Sequence, residues 1–394
     1  MEQTTTAAGT AYVAKTMFGL EEVLANELRN LGADNVEVLY RAVGFTANTE
    51  LLYKANLHLR TALRILQPIF TFKARNEEEL YRGVQKINWS QYMDNDGTLA
   101  IDSATSGEIF THSQYASLKA KDAIVDQFRD RTGTRPDVEL RDPDLRVNLH
   151  IHGEDCTVSL DTSGESLHRR GYRLDTNPAP INEVLAAGMV LLTGWDGNSH
   201  FYDPMCGSGT ILIEAAMYAL NMPPGMHRKK FAFMNWRNYD AKLWQKIYDE
   251  GLAGINDEFE YKLLGTDILG KTVQIARENI ESAKLDEDVR ISVKPFEEAI
   301  APGTEGLLIM NPPYGERMLK NDINAFYKMI GDQLKKNFSG WDAWVLSSNM
   351  EALKQVGLRP SRRIQLFNGS LDCRFCYYPM YRGSKKAKFQ QSEE

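Results

Sequence analysis

One stretch constrains the fold of this 394-residue chain more than any other: Phe201-Tyr202-Asp203-Pro204-Met205-Cys206-Gly207-Ser208-Gly209-Thr210-Ile211-Leu212-Ile213-Glu214-Ala215-Ala216. It reads as strand, tight loop and helix. His200 to Tyr202 is extended in character, and Asp203-Pro204 ends it. Gly207 and Gly209 allow a positive φ and leave room for a ligand against the backbone. From Thr210 apolar residues recur at helical spacing, so a helix starts where the loop ends. Its free N–H groups then face whatever sits above. The loop has no lysine for a P-loop, and Leu212 stands where a dinucleotide loop needs its third glycine. Asp203 at the strand end repels a pyrophosphate and suits a ligand carrying an ammonium group. A glycine-rich turn with no ligand is the plainer alternative.

A second stretch favours the ligand: Gly306-Leu307-Leu308-Ile309-Met310-Asn311-Pro312-Pro313-Tyr314-Gly315-Glu316-Arg317. Leu307 to Met310 is a buried strand by composition. Asn311 follows at its C-terminal end, where open α/β sheets bind ligands. The two prolines fix the backbone and remove two N–H donors. Such a sequence fits methylation of a planar exocyclic amine, whose lone pair is delocalised into its ring. The Asn311 side-chain oxygen and the Pro312 carbonyl can accept its two N–H bonds and aim the lone pair at a methyl donor. The Tyr314 ring can stack on an extruded base. A rigid turn after a strand is the competing explanation.

The two stretches resemble motifs I and IV of class I S-adenosylmethionine-dependent methyltransferases of the amino-methylating type. The whole chain resembles the THUMP-domain rRNA methyltransferases, and most of all the N-terminal half of the bifunctional enzymes that make N2-methylguanosine in bacterial large-subunit rRNA. Similar blocks include Gly19-Leu20-Glu21-Glu22, Gln85-Lys86-Ile87-Asn88-Trp89, Ser113-Gln114-Tyr115, Lys121-Asp122-Ala123-Ile124-Val125-Asp126, Leu167-His168-Arg169-Arg170-Gly171-Tyr172-Arg173 and Asn368-Gly369-Ser370-Leu371-Asp372-Cys373. The resemblance implies an α/β fold: a C-terminal class I, Rossmann-like methyltransferase domain preceded by an α+β ferredoxin-like unit and a THUMP domain. It implies S-adenosyl-L-methionine as cofactor, held by Asp203, Met205, Cys206, Gly207, Ser208, Gly209, Thr210, Asp267 and Glu183. Asn311, Pro312, Pro313 and Tyr314 would be catalytic.

Composition is that of a globular protein, 43% hydrophobic and 25% charged. No apolar run is long enough to span a bilayer, and the polar start shows no secretory signal. A cytoplasmic protein with reduced thiols is expected from its four scattered cysteines. Net charge of −7 argues against bulk nonspecific nucleic-acid binding, although local basic patches can dock RNA. Arg169, Arg170 and Arg173, with Arg228 and Lys229, flank the proposed site in sequence and are the candidate RNA contacts. Further basic groups are Arg359/Arg362/Arg363 and Lys385/Lys386/Lys388.

Taken in order, a strand at Tyr12–Lys15 leads to a helix carrying Leu20, Val23, Leu24, Leu28 and Leu31. Strands near residues 36–40 and 44–47, a helix at 50–59 and a strand near 65–72 complete a ferredoxin-like unit over residues 10–70. Residues 71–165 form the THUMP domain: helices at 77–84 and 117–132, a strand at 98–103, and a hairpin of strands 147–152 and 156–160. By resemblance this domain binds structured RNA through shape and backbone. His150 and His152 share one strand face, read as exposed polar surface and not as a metal site. Residues 166–383 form the methyltransferase domain and 384–394 a disordered tail. A helix at 180–192 precedes the glycine loop. Residues 221–260 are an insertion rich in aromatic and basic residues, most of the aromatics serving core packing. Strands at 261–266, 289–293, 341–347, 363–367 and 376–381 and helices at 272–283 and 323–334 follow. Asp267, ending the strand after the loop, can bind both ribose hydroxyls; a capping aspartate is the alternative. Lys294-Pro295 stands where many relatives place an Asp for the adenine amine, with Glu297 a substitute. Cys373-Arg374-Phe375-Cys376 is a lone pair of thiols, so no metal is expected.

The expected function is methyl transfer to the N2 of one guanine in large-subunit rRNA, or a ribosome precursor, after base flipping. Alternatives are an adenine-N6 or protein-glutamine methyltransferase, another RNA substrate, or a non-catalytic rRNA-binding assembly factor.

Overall fold

The computed structural model describes residues 9–175, 180–257, 259–313 and 320–381. They form two compact units: residues 9–16, 24–167 and 228–250 make the first, and the other described residues the second. Among the described residues, no helix is long and apolar enough to cross a membrane.

The first unit opens with β1 (Thr10–Lys15), α1 (Glu21–Asn30), β2 (Asp34–Leu39), β3 (Ala42–Ala47), α2 (Thr49–His58) and β4 (Arg64–Lys73). It continues with α3 (Glu77–Gln85), β5 (Thr98–Ser106), α4 (Ser113–Thr132), β6 (Asp137–Val138), β7 (Leu145–His152) and β8 (Asp155–Asp161). Asn48 and Asn76 cap α2 and α3, each side chain accepting a backbone N–H of the first turn. β4 pairs antiparallel with β8, from Leu66 opposite Asp161 to Lys73 opposite Asp155. One eight-stranded sheet, β2-β3-β1-β4-β8-β7-β5-β6, therefore runs through both N-terminal domains. His150 and His152 lie on its exposed face.

The second unit comprises α5 (Glu183–Thr193), β9 (His200–Asp203) and α6 (Thr210–Ala219), and, beyond α7 (Ala241–Ala253), β10 (Leu263–Asp267), α8 (Gly270–Ser282), β11 (Val289–Val293) and β12 (Gly306–Met310). It ends with α9 (Lys320–Asn337), β13 (Trp341–Ser347), α10 (Met350–Gln355), β14 (Arg362–Asn368) and β15 (Leu371–Pro379). Its sheet has the order β11-β10-β9-β12-β13-β15-β14. The first five strands are parallel, and β15 is antiparallel to both its neighbours. The chain winds outward from β9 through β10 and β11 on one side and through β12 and β13 on the other. That reversal opens a crevice at the C-terminal ends of β9 and β12.

Two helices were not foreseen from the sequence: α7, inside the aromatic insertion, and the short α10. Residues 228–250 of that insertion belong to the first unit, not to the methyltransferase fold that brackets them in sequence. Phe231, Phe233 and Ile247 are buried there with Tyr53, whose ring stacks on Phe233 at 4.3 Å between centroids. These aromatics build a core, as expected for most of the insertion. The tail expected from residue 384 lies outside the described residues.

Candidate active site

Asp203 ends β9 fully buried; it does not itself line the cavity, whose wall begins at the next residue, Pro204. One carboxylate oxygen, Oδ1, accepts the Met205 N–H at 3.2 Å, and Oδ2 has no partner among the described residues. Burial pushes its pKa up to about 8, and the charge of Asp267 adds to the shift. Gly207 and Gly209 both take positive φ, 55° and 84°. A Cβ on Gly207 would meet nothing within 4 Å, so its conformation alone demands glycine; a Cβ on Gly209 would also come within 3.3 Å of the Ala276 Cβ. Cys206 is buried, and burial drives its thiol pKa well up, helped by Asp203 and Asp267.

Asp267 closes β10 and ties it to the loop. Its Oδ2 accepts the Gly207 N–H at 3.1 Å and its Oδ1 the Leu269 N–H at 2.9 Å. The same residue lines the cavity, so the capping geometry and a place in the cavity wall coexist in one residue.

β12 is buried from Leu307 to its last residue, Met310, and Asn311 follows directly. The Asn311 Oδ1 is buried and has no hydrogen-bond partner among the described residues. Asn311, Pro312 and Pro313 line one cavity of about 740 Å³ together with Met205, Cys206, Gly207, Ser208, Thr210 and Asp267. That size suits a cofactor with part of a substrate. Gly209 is set behind this wall, and Tyr314 lies outside the described residues.

Lys294, Pro295 and Glu297, singled out in the sequence at the place of the adenine contact, line the cavity too, and the others had no such signal. Ile268, Leu269 and Phe296 provide apolar surface, and Lys294, Pro295 and Glu297 border them. Phe326, Asn368 and Leu371 also contribute, the last two from the paired strand ends that flank the turn between β14 and β15. The block from Asn368 to Cys373 stood out in the sequence only by its resemblance to the family, and nothing local said that it reaches the site. Among the described residues, no cluster of three or more His, Cys, Asp or Glu side chains is arranged to hold a metal.

The basic residues expected to contact RNA divide. Arg170 is 2% exposed and pairs with the fully buried Glu214, its Nε 3.2 Å from Oε1, while Tyr172 donates to the same oxygen at 3.2 Å. Arg170 is therefore a core residue and the RNA assignment is corrected. Arg173 is likewise engaged within its own unit, its Nε donating to Glu183 Oε1 at 2.7 Å. Arg228 donates to the carbonyls of Ser166 at 3.0 Å and Glu165 at 2.7 Å and lies 5.0 Å over the Phe231 ring. Its guanidinium holds a turn together and does not face outward as a free cation. Arg169 and Lys229 are exposed. Glu183 is buried against Arg173 and does not line the cavity; Pro180 and Ile181 of that segment do.

Comparison with known proteins bears on this geometry. The model of the RMKL-like methyltransferase domain matches residues 170–376, the THUMP domain 74–161 and the RlmL ferredoxin-like domain 11–66. A Synechocystis protein named "Putative RNA methyltransferase" is 40% identical over 371 residues, covering 94% of this chain and 97% of the relative. The ribosomal RNA large subunit methyltransferase K/L of Shewanella frigidimarina is 38% identical over 373 residues, covering 93% of this chain and 52% of the relative. The chain thus spans about half the length of the K/L proteins it matches. A crystal structure described as "a putative methyltransferase complexed with SAH" superposes with a TM-score of 0.86 at 30% identity, covering 96% of this chain and 100% of that one. With a Rossmann-like sheet, a glycine loop and an Asn-Pro-Pro segment on one cavity, the chain belongs to the THUMP-containing family of RMKL-like methyltransferases.

Proposed function

We propose that this chain uses S-adenosyl-L-methionine to methylate the exocyclic N2 of a guanine in large-subunit rRNA. One observation carries the reading: Asn311, whose buried Oδ1 has no partner among the described residues, lines the cavity that the glycine loop also lines. A buried acceptor without a donor costs free energy. Its presence fits a group held ready for a substrate N–H.

The residues present fit the cofactor. Asp203, buried beside the wall residues Pro204 and Met205 and with an oxygen that has no partner among the described residues, suits a cationic group, and Asp267 suits ribose hydroxyls. Ile268, Leu269 and Phe296 suit a purine face, with Lys294 and Glu297 at its edge. Bound there, S-adenosylmethionine supplies an electrophilic methyl group. Asn311 and the Pro312 carbonyl accept the two N–H bonds of the planar amine and draw its lone pair out of conjugation. Pro312 and Pro313 offer no competing N–H and fix the acceptor geometry. Tyr314 is assigned to stacking on the flipped base. Most of the rate comes from positioning. The amine becomes acidic once methylated, so no side-chain base is required.

The THUMP match supports RNA as substrate, docked by shape. The names of the K/L relatives favour large-subunit rRNA. Arg169 and Lys229 are the exposed cations assigned to RNA contact. The test is methyl transfer from labelled S-adenosylmethionine to large-subunit rRNA, with adenine-rich duplex DNA as competitor, read by nucleoside mass spectrometry. N2-methylguanosine is expected. Methylated adenine, or no label in RNA, would overturn the assignment.

A further inference from the structure

The block Leu167-His168-Arg169-Arg170-Gly171-Tyr172-Arg173 has the look of a basic surface strip, yet Arg170, Tyr172 and Arg173 turn inward while Arg169 stays exposed. Arg170 and Tyr172 grip Glu214 on α6, the helix that the loop starts. Gly171 takes φ 104°, and a Cβ there would meet the His227 carbonyl oxygen at 2.4 Å. Asn279 of α8, 1% exposed, receives the Leu174 N–H at 2.9 Å on its Oδ1 and donates through Nδ2 to the carbonyls of Asp175 at 3.2 Å and Ser208 at 3.0 Å. The connector is thus tied to the loop along several residues.

Arg173 is the centre of this arrangement. Its Nε donates to Glu183 Oε1 at 2.7 Å. Its Nη2 donates to Thr210 Oγ1 at 2.9 Å and to the Ile181 carbonyl at 3.3 Å, and its Nη1 reaches Ser208 Oγ at 3.4 Å. Ser208, Thr210 and Ile181 all line the cavity, whereas Arg173 and Glu183 do not. The guanidinium therefore lies behind the wall and reaches three wall residues at once. Its planar fork can do this; an ammonium group, a single point of charge, cannot. Glu183 is 4% exposed, and a buried carboxylate of this kind needs a cation to hold it.

We propose that Arg173 is a positioning residue: it fixes the glycine loop and the Ile181 segment in the geometry that binds the cofactor. It acts through Ser208, Thr210 and Ile181. This rests on the reading of the cavity as an S-adenosylmethionine site, but not on which nucleotide is methylated. It also explains why a basic block stays in a segment where RNA has no access to Arg170.

The experiment is calorimetric titration of the full chain with S-adenosylhomocysteine, for wild type, Arg173→Lys and Arg173→Gln. Binding by wild type tests the cofactor reading alone. Arg173→Lys keeps the charge beside Glu183 and loses the fork. It should retain the wild-type melting temperature and weaken binding by about tenfold or more, the scale of lost charge-assisted hydrogen bonds. In methyl transfer the KM for S-adenosylmethionine should rise while kcat at saturation changes little. Thr210→Val combined with Arg173→Lys should cost less than the product of the two single effects, because both act on one contact. A wild-type affinity in both folded Arg173 variants overturns the proposal. So does loss of rRNA affinity with unchanged S-adenosylhomocysteine binding, or unfolding of both variants, which would make Arg173 a stability residue only.

Discussion

Asn311 and Gly207, far apart in the chain, line the same cavity, because β12 and β9 are neighbours in one sheet and both end at its rim. The pairing of Gly306 with His200 and of Leu308 with Tyr202 sets that register, so the acceptor amide and the glycine loop reach the crevice together.

The first expectation concerns Asn311 itself. Asn311→Ala removes that acceptor without touching the loop. It should lower kcat by about 100-fold or more, the usual cost of removing a preorganised transition-state partner. Binding of S-adenosylhomocysteine, measured by calorimetry, should stay within about twofold, since this change removes transition-state rather than uniform binding.

Asp203 should make cofactor binding depend on protons, as the proposed site has it. With its pKa pushed up to about 8 by burial and by Asp267, the carboxyl is mostly protonated at neutral pH. A cationic ligand favours the ionised form, so binding near pH 7 should release about one proton. The observed binding enthalpy should then differ between phosphate and Tris buffers in wild type and become equal in Asp203→Asn.

The same shift has a stability consequence of definite sign. The folded pKa lies above the ordinary 3.8, so the folded chain holds the proton where the unfolded chain has lost it. The contribution of Asp203 is fully present below about pH 4 and is lost as pH rises toward about 8. Asp203→Asn should therefore melt about 2 °C or more above wild type at pH 8 in the absence of ligand, with the gap closing at low pH.

Gly331 in α9 should reverse the usual helix preference for alanine. A Cβ there would meet the Val356 carbonyl oxygen at 1.7 Å. Gly331→Ala should destabilise the chain by about 1–3 kcal/mol or more, as overpacking does, instead of gaining the modest amount alanine normally brings. Urea denaturation measures this directly.

Much of the framework was legible in the sequence because it depends on local patterns. Asp203 to Thr210 announced a strand, a loop and a helix, and the buried run before Asn311 announced the strand beside it. The alternation from Val147 to His152 announced its hairpin. Less legible were features decided by partners distant in the chain. Arg170 and Arg173 sit in a basic run that reads as surface, and only folding brings Glu214 and Glu183 against them. The aromatics of residues 228–250 sit inside a methyltransferase sequence but fill the core around Tyr53. Ile268, Leu269, Asn368 and Leu371 reach the cavity through loop geometry that no periodicity encodes.

The central claim is that an amide oxygen at the end of β12 directs a guanine amine toward a methyl group held over the glycine loop. The most direct measurement is nucleoside mass spectrometry of large-subunit rRNA from cells lacking this chain, complemented with either wild type or Asn311→Ala. Wild type should restore one N2-methylguanosine and Asn311→Ala should not, although both proteins bind S-adenosylhomocysteine. Restoration of the same modification by Asn311→Ala would contradict the claim.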